Sequence, residues 1–143
     1  MLNGISPLVG PDLLAAMCRM GHGDEIVLAD AHFPGHSNND LVLRADGLLI
    51  ADLLDALLPL FPLDTYVRAP VMMMAAVSGD TLDPVVEQVY GAVIDRHQPE
   101  TPPAQRIERF AFYERTRRAF AVVMTGDTAK YGNVILKKGL VGH

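Results

Sequence analysis

Apolar and polar positions along the chain follow two alternating patterns, one with helical spacing and one of short continuous apolar runs. Helical spacing predicts helices that begin near Pro11, over 49–60, and over 84–94 with Asp83 as the candidate N-cap. Short apolar runs predict strands over 25–30, 41–43, 71–77, 120–124 and 134–136. The segment that begins at Arg109 predicts a strand end followed by a short helix. This alternation indicates an α/β layered single domain over 1–143, with a largely parallel central sheet flanked by helices.

Two stretches of turn-forming residues, 32–39 and 126–133, predict ordered loops between these elements. In open parallel sheets, ligands bind outside the carboxyl ends of the strands. Asp30 stands at one such strand end, and the 126–133 loop follows another. The sequence therefore places candidate ligand-binding groups in these two segments.

His22 is the residue best suited to acid–base chemistry. It stands between Gly21 and Gly23, where the first helix should stop and just before the strand 25–30. An imidazole has an unperturbed pKa near neutral pH and can both give and take a proton. A histidine at this place also fits a helix cap, because the helix dipole favours its cationic form. The flanking glycines leave the ring open to a ligand, so we favour catalysis and expect a small polar substrate to meet both His22 and Asp30.

Polar groups suited to a polyol occur at Asp30 and in the loop 126–133. The Asp30 carboxylate can accept hydrogen bonds from two sugar hydroxyls, and it can equally act as a turn former or helix N-cap. Tyr131 and Asn133 flank Gly132, and they can orient a polyol or satisfy the turn's own backbone. The loop lacks the GxxxxGK[ST] pattern, so no phosphate cradle is predicted.

Arg109 offers a planar guanidinium fork that can hold vicinal hydroxyls or a carboxylate. Its structural alternative is an internal salt bridge with Glu108 or Glu114. The sequence leaves both roles open.

His32 and His36 lie four residues apart and, with His22 as a third ligand, suggest a metal site. Pro34 and Gly35 between them argue against a helix, so the spacing carries little weight. No HExxH pattern is present. We therefore predict no metal, and we interpret these two histidines as residues that order a loop or line a pocket.

Composition narrows the class of protein. The formal net charge of −5 argues against nucleic-acid binding, which needs a concentrated basic surface. No apolar stretch approaches the roughly 20 residues that span a bilayer, and no basic-then-apolar leader is visible, so neither a membrane segment nor a signal peptide is predicted. Cys18 is the single cysteine and lies on the predicted apolar helix face, where it should be inert. A reducing cytoplasm fits this cysteine content.

Long segments of the chain resemble the L-fucose mutarotase and D-ribose pyranase family. They are MGHGDEIVLADAHFPGHS over 20–37, DLLDALLPLF over 52–61, RFAFYER over 109–115 and TGDTAKYGNVILKKG over 125–139. The resemblance covers nearly the whole chain. The MGHGDEI and RFAFYER segments are similar to the fucose branch rather than the ribose branch.

This resemblance implies a metal-free, cofactor-free sugar mutarotase with a monosaccharide substrate. It also implies an α/β fold and a homo-oligomeric, often ring-shaped assembly, for which a decamer is one candidate. By motif position, the catalytic acid/base is His22, and the sugar-binding residues are Asp30, Arg109 and the turn Tyr131-Gly132-Asn133.

Mutarotation opens a pyranose ring and closes it on the other face of the anomeric carbon. One proton must leave the anomeric hydroxyl and one must reach the ring oxygen. His22 suits the first transfer, and either Tyr131 or a positioned water suits the second. The rival interpretations are a non-catalytic monosaccharide-binding or transport-accessory protein, a D-ribose pyranase-type enzyme, and a regulatory oligomer with an incidental pocket.

Overall fold

The structure is a computed structural model that describes residues 1–142. Five helices and six strands follow one another in these residues. They are α1 (Pro11–Arg19), β1 (Glu25–Ala29), α2 (Gly35–Asn38), β2 (Val42–Ala45), α3 (Ile50–Leu57), β3 (Val71–Met74), α4 (Pro84–His97), β4 (Gln105–Ile107), α5 (Arg109–Arg118), β5 (Ala121–Thr125) and β6 (Val134–Lys137). In the described chain no helix is long and apolar enough to cross a membrane.

The six strands form one sheet in the order β2-β5-β1-β6-β3-β4. β2 and β5 run parallel to β1, and β4 runs parallel to β3. β6 lies between β1 and β3 and is antiparallel to both. The sheet is therefore mixed but largely parallel, as the sequence predicted. Loops that follow β1, β3, β4 and β5 all emerge at one edge, which we call the carboxyl edge.

Alternate residues of each central strand enter opposite cores. Ile26 and Leu28 of β1 face α1, α3 and α4, where the helices contribute a leucine-rich cluster. Val27 and Ala29 face the other side, where Phe112 of α5 and the loop residue Phe33 pack against them. Helices thus cover both faces of the sheet, which explains why the strands are apolar on both faces.

The 32–39 segment was predicted to be an ordered loop, and the structure adds a one-turn helix, α2, that begins at Gly35 directly after a proline. Pro34 stands at the N-cap, a place where the ring is tolerated, and its carbonyl accepts a hydrogen bond from Asn38 Nδ2 at 2.8 Å. A Cβ on Gly35 would lie 2.6 Å from the sulfur of Met124. A side chain at this position would have to displace Met124 on β5. α2 does not include His32, so His32 and His36 do not share a helix, as the sequence predicted.

The prediction of a strand end at Arg109 was also wrong. The strand there, β4, ends at Ile107, and Arg109 is the first residue of α5. The intervening Glu108 caps this helix, because its Oε2 accepts hydrogen bonds from the backbone N–H groups of Phe110 and Ala111 at 2.9 and 3.0 Å. Asp83 caps α4 as predicted, through the N–H of Val85.

The sequence pattern placed Cys18 on the apolar face of the first helix, and this prediction was wrong. Its side chain is exposed on α1, whereas Leu13 and Met17 face the core. The described residues contain no second thiol with which it could pair.

Candidate functional site

A cavity of about 230 Å³ opens at the carboxyl edge of the sheet. Its walls come from loops after β1, β3 and β5 and from the first turns of α5. They are formed by Asp30, His32, Phe33, Pro34, Met74, Val77, Arg109, Tyr113, Tyr131 and Asn133. Four of the five predicted sugar-binding residues are in this set, so the topology brings them together as expected for a parallel sheet.

Asp30 is nearly buried at the floor of the cavity, and hydrogen bonds fix both its backbone and its side chain. Its N–H donates to Asn133 Oδ1 at 2.7 Å, and its own Oδ1 accepts from the N–H of His32 at 2.9 Å. Burial raises the pKa of the Asp30 carboxyl, although the N–H groups of His32 and Phe33 partly oppose the shift. The hydrogen bond from His32 thus fixes the direction of a carboxyl group that lines the cavity.

Tyr131 has a backbone conformation that non-glycine residues rarely adopt, with φ of +57°. The next residue, Gly132, packs so closely that a Cβ there would lie 2.9 Å from the Ala129 carbonyl oxygen. Gly132 is buried behind the cavity rather than lining it, and its carbonyl accepts a 2.7 Å hydrogen bond from the Tyr90 hydroxyl. Burial raises the pKa of Tyr90, which keeps this phenol a donor. The hydrogen bond from Tyr90 therefore holds this turn in place.

Asp127 attaches the same loop to α3. Its Oδ2 accepts from the N–H of Ile50 at 3.0 Å, and its Oδ1 accepts from the N–H of Ala129 at 2.9 Å. The N-cap residue of α3, Leu49, has no side-chain acceptor of its own. A loop carboxylate consequently caps this helix from a distant part of the chain.

Arg109 is exposed at the rim of the cavity, with its guanidinium 4.6 Å from the centre of the Phe110 ring. Glu108 caps α5 and Glu114 pairs with Arg117. Within residues 1–142 neither acid pairs with Arg109, so the salt-bridge alternative is wrong. Its donors are available to a ligand in the cavity.

His22 lies at the other edge of the sheet. It precedes β1, whereas Asp30 follows β1, and at roughly 3.3 Å per residue the strand alone separates them by about 13 Å. The expectation that one substrate meets both groups within a single chain is therefore wrong. Asp30 and the loop 126–133 share the carboxyl edge, but the glycine-flanked histidine does not.

The surroundings of His22 are a second polar cluster, which contains Asp64 and Tyr66. His22 Nε2 lies 3.0 Å from Asp64 Oδ1, and the centres of the His22 and Tyr66 rings are 5.2 Å apart. Asp64 is buried, and burial opposes its ionisation. The N–H of Tyr66, the His22 ring and the nearby Lys137 outweigh that effect and hold the pKa of Asp64 below its usual value.

Lys138 fixes the turn that carries His22. Its Nζ donates to the carbonyls of Met17 and Met20 at the end of α1, at 2.8 and 2.7 Å. Its backbone pairs with Gly23 and Asp24, at 2.8 Å in both cases. The end of α1 and the start of β1 are thereby tied to one residue after β6.

The three histidines considered for a metal site are dispersed. His32 lines the cavity, and His36 lies in α2 with its Nε2 3.3 Å from Arg44 Nη1. No group of three or more His, Cys, Asp or Glu residues in the described chain is placed to hold a metal ion.

Sequence reasoning missed Asp64, Tyr66 and Asp80, which contact the predicted site residues. Asp64 reaches His22 because 62–64 pairs with 137–139, a long-range pairing without a local signal. Asp80 accepts a 2.7 Å hydrogen bond from the Tyr131 hydroxyl. The sequence Ser78-Gly79-Asp80 marks a turn, but not what the turn contacts.

The cavity offers a carboxylate, an amide, a hydroxyl and a guanidinium around apolar side chains. Such a combination suits a small neutral polyol, whose hydroxyls can both donate and accept.

Comparison with known proteins gives a consistent result. Residues 3–141 match the model of the RbsD / FucU transport protein family. A curated L-fucose mutarotase from Actinobacillus pleuropneumoniae serotype 5b (strain L20) is 56% identical over 140 residues, which cover 98% of this chain and 97% of that protein. The fucose mutarotase from Streptococcus pneumoniae, solved in complex with L-fucose, matches with a TM-score of 0.92 and 43% identity over 99% of this chain and 100% of that one. FucU from Bifidobacterium longum matches with a TM-score of 0.91 and 42% identity over 97% and 99%.

Proposed function

This chain belongs to the RbsD / FucU transport protein family, and we propose that it is an isomerase that interconverts the α and β anomers of L-fucose. The observation that carries the proposal is the 56% identity, over nearly the full length of both chains, to a protein named L-fucose mutarotase. The polar cavity at the carboxyl edge supports it, because its donors and acceptors suit a monosaccharide.

In the proposed complex, the sugar lies in the cavity with its hydroxyls on Asp30, Arg109, Tyr131 and Asn133. Asp30 and Asn133 are already fixed to each other through a 2.7 Å hydrogen bond, so their positions change little on binding. Gly132 contributes through its backbone, which lets the turn pack against Tyr90. A sugar that lacks a matching hydroxyl would leave buried polar groups unpaired, which gives specificity.

His22 is the proposed acid/base. It accepts the proton of the anomeric hydroxyl as the ring C–O bond breaks, while the ring oxygen gains a proton from a second donor. Rotation of the aldehyde carbon and the reverse transfers then give the other anomer. One well-placed acid/base group contributes about 10²–10⁴-fold.

His22 reaches a cavity only if two copies of the chain meet, because β1 separates it from the cavity of its own chain. The His22–Asp64–Tyr66 cluster is open to such a neighbour, since the His22 side chain is 38% exposed and Tyr66 is 75% exposed. We propose that this cluster completes the cavity of an adjacent subunit.

Contact between two different faces of identical chains is heterologous, and such contacts close into rings when the rotation between subunits permits. We propose a ring-shaped homo-oligomer, which this arrangement permits, and the family resemblance makes a decamer the candidate form. The cytoplasm is the proposed compartment, and the unpaired thiol of Cys18 suits a reducing environment.

Exchange NMR on the anomeric protons of L-fucose tests the activity directly. The wild type should raise the α–β exchange rate well above the buffer rate, and Asp30→Asn should remove most of the increase. D-ribose serves as the comparison sugar, and faster exchange of D-ribose than of L-fucose would favour the pyranase alternative.

Line broadening of L-fucose without faster exchange would contradict a mutarotase. It would instead support a monosaccharide-binding or transport-accessory protein. Neither binding nor exchange with any monosaccharide would support a regulatory oligomer with an incidental pocket.

A further inference from the structure

The hydroxyl of Tyr131 is held by a loop that lies outside the sugar-binding residues. It donates to Asp80 Oδ2 at 2.7 Å and accepts from the N–H of Val77 at 3.2 Å. The other oxygen of Asp80 accepts from Lys130 Nζ at 2.8 Å and from the N–H of Thr81 at 2.9 Å. Asp80 therefore joins the loop after β3 to the loop that carries Tyr131.

One tight turn carries both groups that bind the Tyr131 hydroxyl, the Val77 N–H and the Asp80 carboxylate. The N–H of Asp80 donates to the Val77 carbonyl at 3.0 Å, which closes a four-residue turn, and Gly79 at its third position has φ of +84°. A type II turn needs a positive φ at that position, and glycine adopts it without strain. The turn places the Val77 amide and the Asp80 carboxylate side by side against a single oxygen.

The hydrogen-bonding capacity of Tyr131 is then almost used up. A phenol has one donor and two acceptor sites. Its donor is directed to Asp80 and one acceptor site is taken by Val77, so one acceptor site remains. Hydrogen bonds from Lys130 and Tyr131 lower the pKa of Asp80 to about 2, so the carboxylate is ionised and cannot donate back to the phenol.

We propose that Asp80 is a positioning residue that turns the Tyr131 hydroxyl into an acceptor for one donating hydroxyl of the sugar. This rests on the proposed function of the cavity. Asp80 acts through Tyr131 and makes no contact with the sugar itself. It also fixes Val77, a wall residue of the cavity, against the same turn.

These hydrogen bonds determine whether Tyr131 can supply the second proton of the reaction, which must reach the ring oxygen. A hydroxyl whose proton is committed to an ionised carboxylate is a poor donor to the ring oxygen. That proton therefore comes from a positioned water rather than from Tyr131. Asp80 should accordingly affect the affinity for the sugar more than the rate at which the bound sugar is converted.

A double-mutant cycle tests the proposal with Asp80→Ala, Tyr131→Phe and the combined variant. L-fucose affinity is measured by calorimetry, and KM and kcat by exchange NMR. We expect Asp80→Ala to weaken affinity about tenfold, the scale of one charge-assisted hydrogen bond, with a smaller change in kcat. The combined variant should be no weaker than Tyr131→Phe, and Asp80→Asn should recover part of the affinity because its side-chain oxygen can still accept.

Lys130→Met is the matched control, because it removes the charged partner of Asp80 and leaves the phenol bond intact. The Lys130 side chain is 67% exposed, so this pair should matter little, and affinity should stay within about threefold of wild type. Losses that multiply in the combined variant would overturn the proposal, because Asp80 would then act independently of the Tyr131 hydroxyl.

Amide hydrogen exchange at Val77 separates this inference from the proposed function. Asp80→Ala and Tyr131→Phe should both speed exchange of the Val77 amide, and Lys130→Met should not. That result would support the link between the loops even if the wild type did not mutarotate L-fucose. Unchanged Val77 exchange in Asp80→Ala would overturn the inference while leaving an active mutarotase intact.

Discussion

The imidazole of His22 is oriented by the buried carboxylate of Asp64, with 3.0 Å between Nε2 and Oδ1. Asp64 has a lowered pKa and is an acceptor only, so Nε2 carries the proton and Nδ1 is free to accept one. A pair of this kind sets both the tautomer and the direction of the ring. In the proposed mechanism, Nδ1 accepts a proton from a sugar held by a neighbouring chain.

Replacing His22 by alanine should lower mutarotation by at least about a hundredfold, the lower range for one acid/base group. The fold should persist, because the side chain is 38% exposed and packs into no apolar core. His36→Ala is the matched control, since His36 is exposed on α2 and its ring lies against Arg44 rather than Asp64. Exchange NMR gives the rates and circular dichroism the folded state. Near-normal turnover in folded His22→Ala would remove this residue from the mechanism.

Asp64→Asn should reduce both turnover and the acid sensitivity of the fold. The pKa of Asp64 is lower in the folded state than its unfolded value of about 3.9, so its contribution to stability is present above that pH and is lost as pH falls through the folded pKa. The asparagine variant lacks this contribution at every pH. Chemical unfolding at pH 7 and pH 3 should thus show a smaller pH-dependent loss in the variant than in wild type. Equal losses would mean that Asp64 is not a stabilising anion.

Lys138→Met should destabilise the fold by about 1–3 kcal/mol, because two hydrogen bonds from a charged donor to the end of α1 are lost. Lys137→Met is the matched control. Its ammonium lies 3.9 Å from Glu25, too far for a strong hydrogen bond, so its loss should cost less. Urea unfolding measures both. A greater cost at Lys137 would contradict the capping role of Lys138.

The order of elements follows from local patterns that the sequence displays. β1 and β5 are continuous apolar runs that suit a buried parallel sheet, and Asp83 is followed by proline and a helical repeat. The errors arose where a distant contact overrides local preference. The one-turn helix at Gly35, which packs against Met124 on β5, was not predicted, and β4 has only three residues, too few for a periodic signal.

In the candidate site too, some features have a local sequence signal and others depend on distant contacts. Asp30, Tyr131 and Asn133 could be grouped from the sequence, because ends of neighbouring parallel strands meet at one edge. The separation of His22 from them could not be predicted from motif adjacency, since eight residues of sequence from His22 to Asp30 include a whole strand. The Asp64 and Asp80 contacts depend on loop pairings across 42 and 51 residues. Sequence patterns carry no signal for such distant pairings.

Gly126→Ala should destabilise the protein by about 2 kcal/mol or more, because a Cβ there would lie 2.0 Å from the Asp46 carbonyl oxygen, a backbone atom that cannot move alone. Gly91→Ala is the matched substitution. Gly91 lies inside α4 with no atom within 4 Å of its Cβ position, so alanine should stabilise by about 0.5–1 kcal/mol. Opposite signs in thermal or urea unfolding confirm the packing; equal effects would contradict it.

Complementation between two inactive variants tests whether one subunit's His22 serves the cavity of the next. His22→Ala and Asp30→Asn are co-expressed with different tags and purified through both, with doubly tagged wild type as the control. In a head-to-tail ring, about a quarter of the sites should combine an intact His22 with an intact Asp30, so the mixture should recover about a quarter of wild-type exchange of L-fucose anomers. Activity that stays at the level of the separate variants, while the wild-type mixture is fully active, would contradict the shared site.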